Sequence, residues 1–93
     1  MNQILILTTT ESNKNKSKEI AKLLLKKKLA ACVSLKDIYS IYEWEGKVED
    51  VREVELILKS KPELKNDLII FLEKTLSYDV PQILYKKFKY SNS

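Results

Sequence analysis

From Ala31 to Trp44 the chain reads "ACVSLKDIYSIYEW", fourteen residues of extended character rich in Val33, Ile38, Tyr39, Ile41, Tyr42 and Trp44. At about 3.3 Å per residue such a strand reaches roughly 45 Å. A compact chain of this size has a radius of gyration of about 12 Å and a diameter of roughly 30 Å. Even with a bulge or bend at Lys36 and Asp37, the strand must overhang its own domain. The only glycine, Gly46, follows it in "WEGK", where Glu45-Gly46 supplies the residue free to take positive φ. The chain is expected to reverse there and return as a strand over Val48 to Lys59, with Val54, Leu56 and Leu58 on one face and Glu53, Glu55 and Ile57 on the other. An overhanging two-stranded ribbon that carries Ile41, Tyr42 and Trp44 exposes apolar area and unpaired edges, so it requires a partner chain.

The flanking segments fix the rest. Ile4 to Leu7 is a continuous apolar run ended by Thr8, Thr9 and Thr10, which suits a strand buried on both faces. Ile20, Leu23 and Leu24 then recur at helical spacing among lysines, so a helix is expected from an N-cap at Ser12 to near Lys28. Ser60, Pro62 and Glu63 have the form of a capping box, and Leu64, Leu68, Phe71, Leu72 and Leu76 mark a second helix to about Thr75. "SYDVP" breaks that helix, and Gln82 to Phe88 reads as a last short strand behind Pro81. The order is βαββαβ, an α+β, ferredoxin-like domain over residues 1–93 with two helices on one face of a four-stranded antiparallel sheet.

Absences restrict the chemistry. No histidine is present, which removes Ser-His-Asp and Cys-His nucleophile arrangements and histidine-ligated zinc. One glycine cannot build a P-loop or a dinucleotide fingerprint. A non-enzymatic role is expected. The net charge of +4 is concentrated in "KNKSK", "LLLKKKL" and "YKKFKY". Without an aromatic-and-glycine RNA-binding signature it reads as a solvated helix face, so no nucleic-acid partner is expected. No run is long and apolar enough for a membrane span. The start lacks the basic and small-residue flanks of a signal peptide, and the single cysteine suits a reducing compartment, so a cytoplasmic address is expected.

The segments "ILTTTES" from Ile6, "LAACVSL", "SIYEWEGKVE", "VELILKSK" and "YDVPQI", in that order and spacing, closely resemble the CutA divalent-cation-tolerance family. The resemblance implies a ferredoxin-like subunit in a tight homotrimer whose long strands cross between neighbours. It also implies a part in tolerance of, or response to, divalent metal ions, copper above all, and an architecture similar to the trimeric PII signalling proteins. Tyr42, Trp44, Tyr78 and Asp79 resemble the family residues that line the cleft between subunits, where they serve a ligand, an interface or both. Two departures stand out. Family members commonly carry a histidine-proline pair before "YDVP", where this chain has Leu76 and Ser77, and they usually continue into a short aromatic-containing tail where this sequence stops at "KYSNS".

Cys32 is read in two ways, as a thiolate ligand for a soft ion such as copper and as a small buried strand residue. Glu43 and Glu45, two apart on one strand face, suit a hard cation or solvated edge charges. Lys59, with Lys47, meets either an anionic ligand or the carboxylates of Glu43, Glu53 and Glu55. The expected function is therefore a homotrimeric metal-response protein that binds Cu(II) or another divalent cation at the inter-subunit cleft, without an organic cofactor. The alternative is a PII-like sensor for a small anionic ligand or a protein partner.

Overall fold

The computed structural model describes residues 2–91. Its elements follow the expected order: β1 (Gln3–Glu11), α1 (Lys14–Lys26), β2 (Cys32–Trp44), β3 (Lys47–Ser60), a 3-10 turn at Pro62–Leu64, α2 (Lys65–Thr75) and β4 (Ile83–Lys89). The strands form one sheet in the order β2-β3-β1-β4, antiparallel at every junction.

Leucine builds the core. Leu5 and Leu7 of β1, Leu56 and Leu58 of β3, Leu24 of α1 and Leu68 and Leu72 of α2 are fully buried, so both helices lie on one sheet face. Each such side chain contributes about 1.5–3 kcal/mol relative to exposure. The opposite face carries Ile4, Ile6 and Ile57, which are half-buried, and Leu84 and Phe88, which are exposed; among the described residues no element covers it.

Several boundaries differ from the sequence reading. β1 runs on through Thr8, Thr9 and Thr10, because each finds a ladder partner in β3 (Ile57, Leu56 and Glu55) and β-branched residues suit a pleated surface. The first helix is capped by Asn13, whose side chain accepts from the Lys16 amide at 2.8 Å, and not by Ser12, which lies beside Glu11. β2 shows no bulge at Lys36 or Asp37; their pairing with Glu55 and Val54 is in register. Ser60 does not cap the second helix, since it ends β3 with its hydroxyl donated to the Leu29 carbonyl at 2.6 Å. Lys61 precedes the 3-10 turn, with Pro62 in its first turn, and Leu64 holds the cap position of α2; neither side chain makes a capping hydrogen bond.

The ribbon overhangs. β1 pairs with β3 only as far as Glu11↔Val54, while β2 and β3 continue together to Trp44↔Lys47. The molecule therefore extends 47 × 24 × 21 Å with a radius of gyration of 14.2 Å, longer than the compact estimate. Glu45 and Gly46 both take positive φ (50° and 76°), the conformation of a two-residue type I′ hairpin whose twist matches the strands.

Candidate functional site

Side-chain parity decides which candidates meet. Directly opposed residues of an antiparallel ladder share a face, so Cys32 faces the same side as Lys59 and Ile6, and Tyr42 and Trp44 lie on that side farther along β2. Cys32 and Trp44 are the two ends of β2, roughly 40 Å apart at about 3.3 Å per residue. One chain cannot place both in a single site.

A polar knot forms where the ribbon leaves the sheet. Glu53 is the first β3 residue beyond the end of β1. Its carboxylate accepts from the Tyr78 hydroxyl at 2.5 Å and also from Ser40 and Thr10. Burial pushes the Glu53 carboxyl up, but the three donated hydroxyls outweigh it and hold it below the ordinary 4.5. Tyr78 moves the other way: burial, its bond to Glu53 and the nearby charges of Glu53, Glu11 and Tyr42 all push its hydroxyl well above the usual value. A phenol locked in this way is a donor, not a base.

A second carboxylate ties the knot to the helices. Glu11 is fully buried at the end of β1. Its Oε2 accepts from the Asn13 amide at 2.9 Å and the Ser77 hydroxyl at 2.8 Å, and its Oε1 accepts from the Ser77 amide at 2.7 Å. Burial raises its pKa, yet these bonds and the Lys16 charge bring it below 4.5. Glu11 thus joins β1, the start of α1 and the loop that presents Tyr78. Both folded-state carboxyl values lie below those of the unfolded chain, so their stabilisation is complete above about pH 4.5 and is lost as pH falls through the folded values. The urea midpoint should stay level from pH 7 to about 5 and drop below that, and Glu53→Gln should flatten part of the drop. A midpoint that rises on acidification would contradict the assignment.

Of the expected residues, Tyr42 and Tyr78 are brought near one another through this knot, while Trp44 is 63% exposed at the ribbon tip. Asp79 is exposed in the loop after α2 without a hydrogen bond among the described residues. Lys59 is exposed and opposes Cys32, not the aromatics. The cysteine is free and exposed in the single subunit. Glu43 and Glu45 do not share a strand face, because Glu45 belongs to the turn.

Among the described residues no three His, Cys, Asp or Glu side chains gather as a metal-ligand set. Cys32 is moreover opposed by an ammonium group. The donors of one chain do not fit a resident metal ion; a cation would need ligands from more than one copy.

The residues that sequence reasoning missed are Glu11, Glu53, Thr10, Ser40 and Ser77. A signal for Glu11 existed in the alternation Leu5, Leu7, Thr9, Glu11, which places a carboxylate on the core side once the strand continues through the threonines. Beside the knot is an open cavity of about 340 Å³ lined by Ser12, Lys14, Asp37, Tyr39, Arg52 and Glu53. Lys14 and Asp37 pair across it at 3.0 Å, and the Arg52 guanidinium lies over the Tyr39 ring at 5.4 Å.

Comparison with known proteins follows the same outline. Residues 4–93 match the family described as CutA1 divalent ion tolerance protein. The Divalent-cation tolerance protein CutA of Pyrococcus horikoshii is 36% identical over 81 residues, 87% of this chain and 79% of that protein. Protein CutA of mouse is 40% identical over 73 residues, 77% of this chain but 41% of the longer mouse protein. The chain likewise spans 44% of the chloroplastic CutA of Arabidopsis thaliana, so it corresponds to less than half of these two relatives. In three dimensions, CutA1 from Oryza sativa superposes with a TM-score of 0.91 at 34% identity, over 98% of this chain and 84% of that one. CutA1 from Pyrococcus horikoshii gives 0.89 at 33% identity over 95% and 86%.

Proposed function

This chain belongs to the CutA1 divalent ion tolerance family, and from that premise we propose that it acts without catalysing a reaction, as a single-domain subunit of a homotrimer that responds to divalent metal ions in the cytoplasm. The observation that carries the assembly is the ribbon: Tyr39, Ile41, Trp44 and Val48 are each more than 60% exposed on a two-stranded extension. A lone hairpin of this kind is marginal in water and gains stability by burial against another copy.

Copper or another divalent cation is then held between subunits. Cys32 is the chain's one thiol, and its partners are carboxylates or further thiolates of neighbouring copies. Leu76 stands where the family commonly has histidine, so binding is weak. Tyr42, Trp44, Tyr78 and Asp79 line or brace the cleft.

The test is native mass spectrometry with and without a slight excess of Cu(II). A trimer that gains whole copper ions is expected, and Cys32→Ser should abolish the gain while the trimer persists. A trimer that gains none would remove the metal site and leave the assembly.

The cavity at the ribbon root favours a second reading, a PII-like sensor. Its Arg52 suits a small anionic molecule, with Lys14 held against Asp37 at the same wall, and such a ligand would bind equally well after Cys32→Ser.

A further inference from the structure

Seven of the seventeen basic residues lie between Lys14 and Lys28, with one acidic residue, Glu19, among them. That segment carries a net +6 and leaves the rest of the chain at −2. Within α1, Lys14, Lys18, Lys22 and Lys26 recur every fourth residue, so they stack as one ridge roughly 18 Å long at about 1.5 Å per residue. All four are exposed. Lys14 pairs with Asp37 in the only ion pair among the described residues, which leaves Lys18, Lys22 and Lys26 without a carboxylate within 4.0 Å.

The ridge works against its own helix. Like charges four apart repel, and the first turn, where the helix dipole favours acids, has none and carries Lys14 and Lys16. A face that only keeps a helix in solution does so at less cost with alternating signs. We propose that the α1 ridge docks the phosphate backbone of a nucleic acid, without reading its sequence.

Charge complementarity selects this occupant. A row of single positive charges at even intervals matches a row of single negative ones, and each phosphate neutralised releases a condensed counterion. An anionic membrane fits less well, because the exposed leucines of α1, Leu23 and Leu25, stand about 200° apart around the helix and no flat surface receives both. The sequence expectation of no nucleic-acid partner rests on a missing aromatic-and-glycine signature. That signature serves to stack single-stranded bases, and docking on phosphates needs none of it.

Fluorescence anisotropy with a labelled mixed-sequence DNA duplex and the full chain tests the proposal. Binding is expected at 50 mM salt and should weaken roughly 40-fold by 200 mM, as neutralisation of three phosphates by Lys18, Lys22 and Lys26 requires. Lys18→Glu/Lys26→Glu turns all three repulsions along the ridge into attractions, set against loss of the cation in the last turn, so it should leave the melting temperature level or higher while affinity falls at least tenfold, on the order of the loss of two phosphate contacts. Lys86→Glu/Lys87→Glu, with the same change in net charge on β4, should leave affinity within a few-fold. Absence of saturable binding at 50 mM salt would overturn the proposal. So would an equal loss in both variants, or capture by anionic phospholipid vesicles without duplex binding.

Discussion

Glu11→Ala should destabilise the subunit by about 3–5 kcal/mol, the largest single effect expected of any polar residue in the chain. The carboxylate is wholly buried and receives the Asn13 amide, the Ser77 amide and the Ser77 hydroxyl. Each hydrogen bond to a charged group contributes about 1.5–3 kcal/mol, and an amide left unpaired in the interior costs about 1–3 kcal/mol. Water reaching the gap recovers part of the sum, which sets the lower bound. Glu11→Gln keeps one acceptor oxygen, so roughly half the loss is expected. Urea unfolding gives the number directly. A Glu11→Ala midpoint equivalent to less than 1 kcal/mol of destabilisation would show that the three donors find other acceptors and that this carboxylate does not organise the junction.

The second large effect concerns assembly. If the proposed trimer forms through the ribbon, Ile41→Asp/Trp44→Asp should move the native mass to that of a single 10.9 kDa chain. Both side chains are more than 60% exposed in the isolated subunit, and each contributes on the order of 2 kcal/mol when buried at an interface. Their loss, repeated at every subunit contact, weakens association by at least 100-fold. Within the subunit the cost is small, because neither residue touches the leucine core. The circular-dichroism spectrum should therefore keep its helical signal while the mass falls. Retention of the trimer by this variant would place the interface elsewhere, with the uncovered face of Ile4, Ile6 and Ile57 the next surface to test.

The architecture was legible because its information is local and repetitive. Helical spacing of Leu64, Leu68 and Leu72, alternation in Val54, Leu56 and Leu58, and one glycine before a return strand suffice for element type and order. The ribbon's overhang followed from counting residues against a domain diameter. Terminal residues were not legible, since Ser12 and Ser60 have the chemistry of helix caps but are claimed by other acceptors: the adjacent Glu11, itself tied to distant Ser77, and the distant Leu29 carbonyl. The polar knot was hidden for the same reason. Glu53 looks like one more wet residue on an alternating strand until β1 is known to stop one rung earlier, which opens the space that Tyr78 fills. Of the site residues named from sequence, Tyr78 joins the polar knot and Trp44 stands exposed at the ribbon tip, whereas Cys32 and Lys59 share the other end of β2.

The sheet order also carries a consequence for how the subunit comes into being. β1 is synthesised first yet lies inside the sheet, with Leu5 opposite Ser60 on one side and Lys87 on the other. Closing the β1–β4 ladder joins almost the whole length of the chain, which makes it the entropically slow step, whereas the β2–β3 hairpin zips on short loop closure around Gly46. The ribbon proposed to meet other copies is thus closed by local contacts, while the subunit's sheet depends on the longest-range pairing in the chain. For the proposed oligomer, refolding from denaturant at high chain concentration should therefore give more misassembled material than refolding at low concentration.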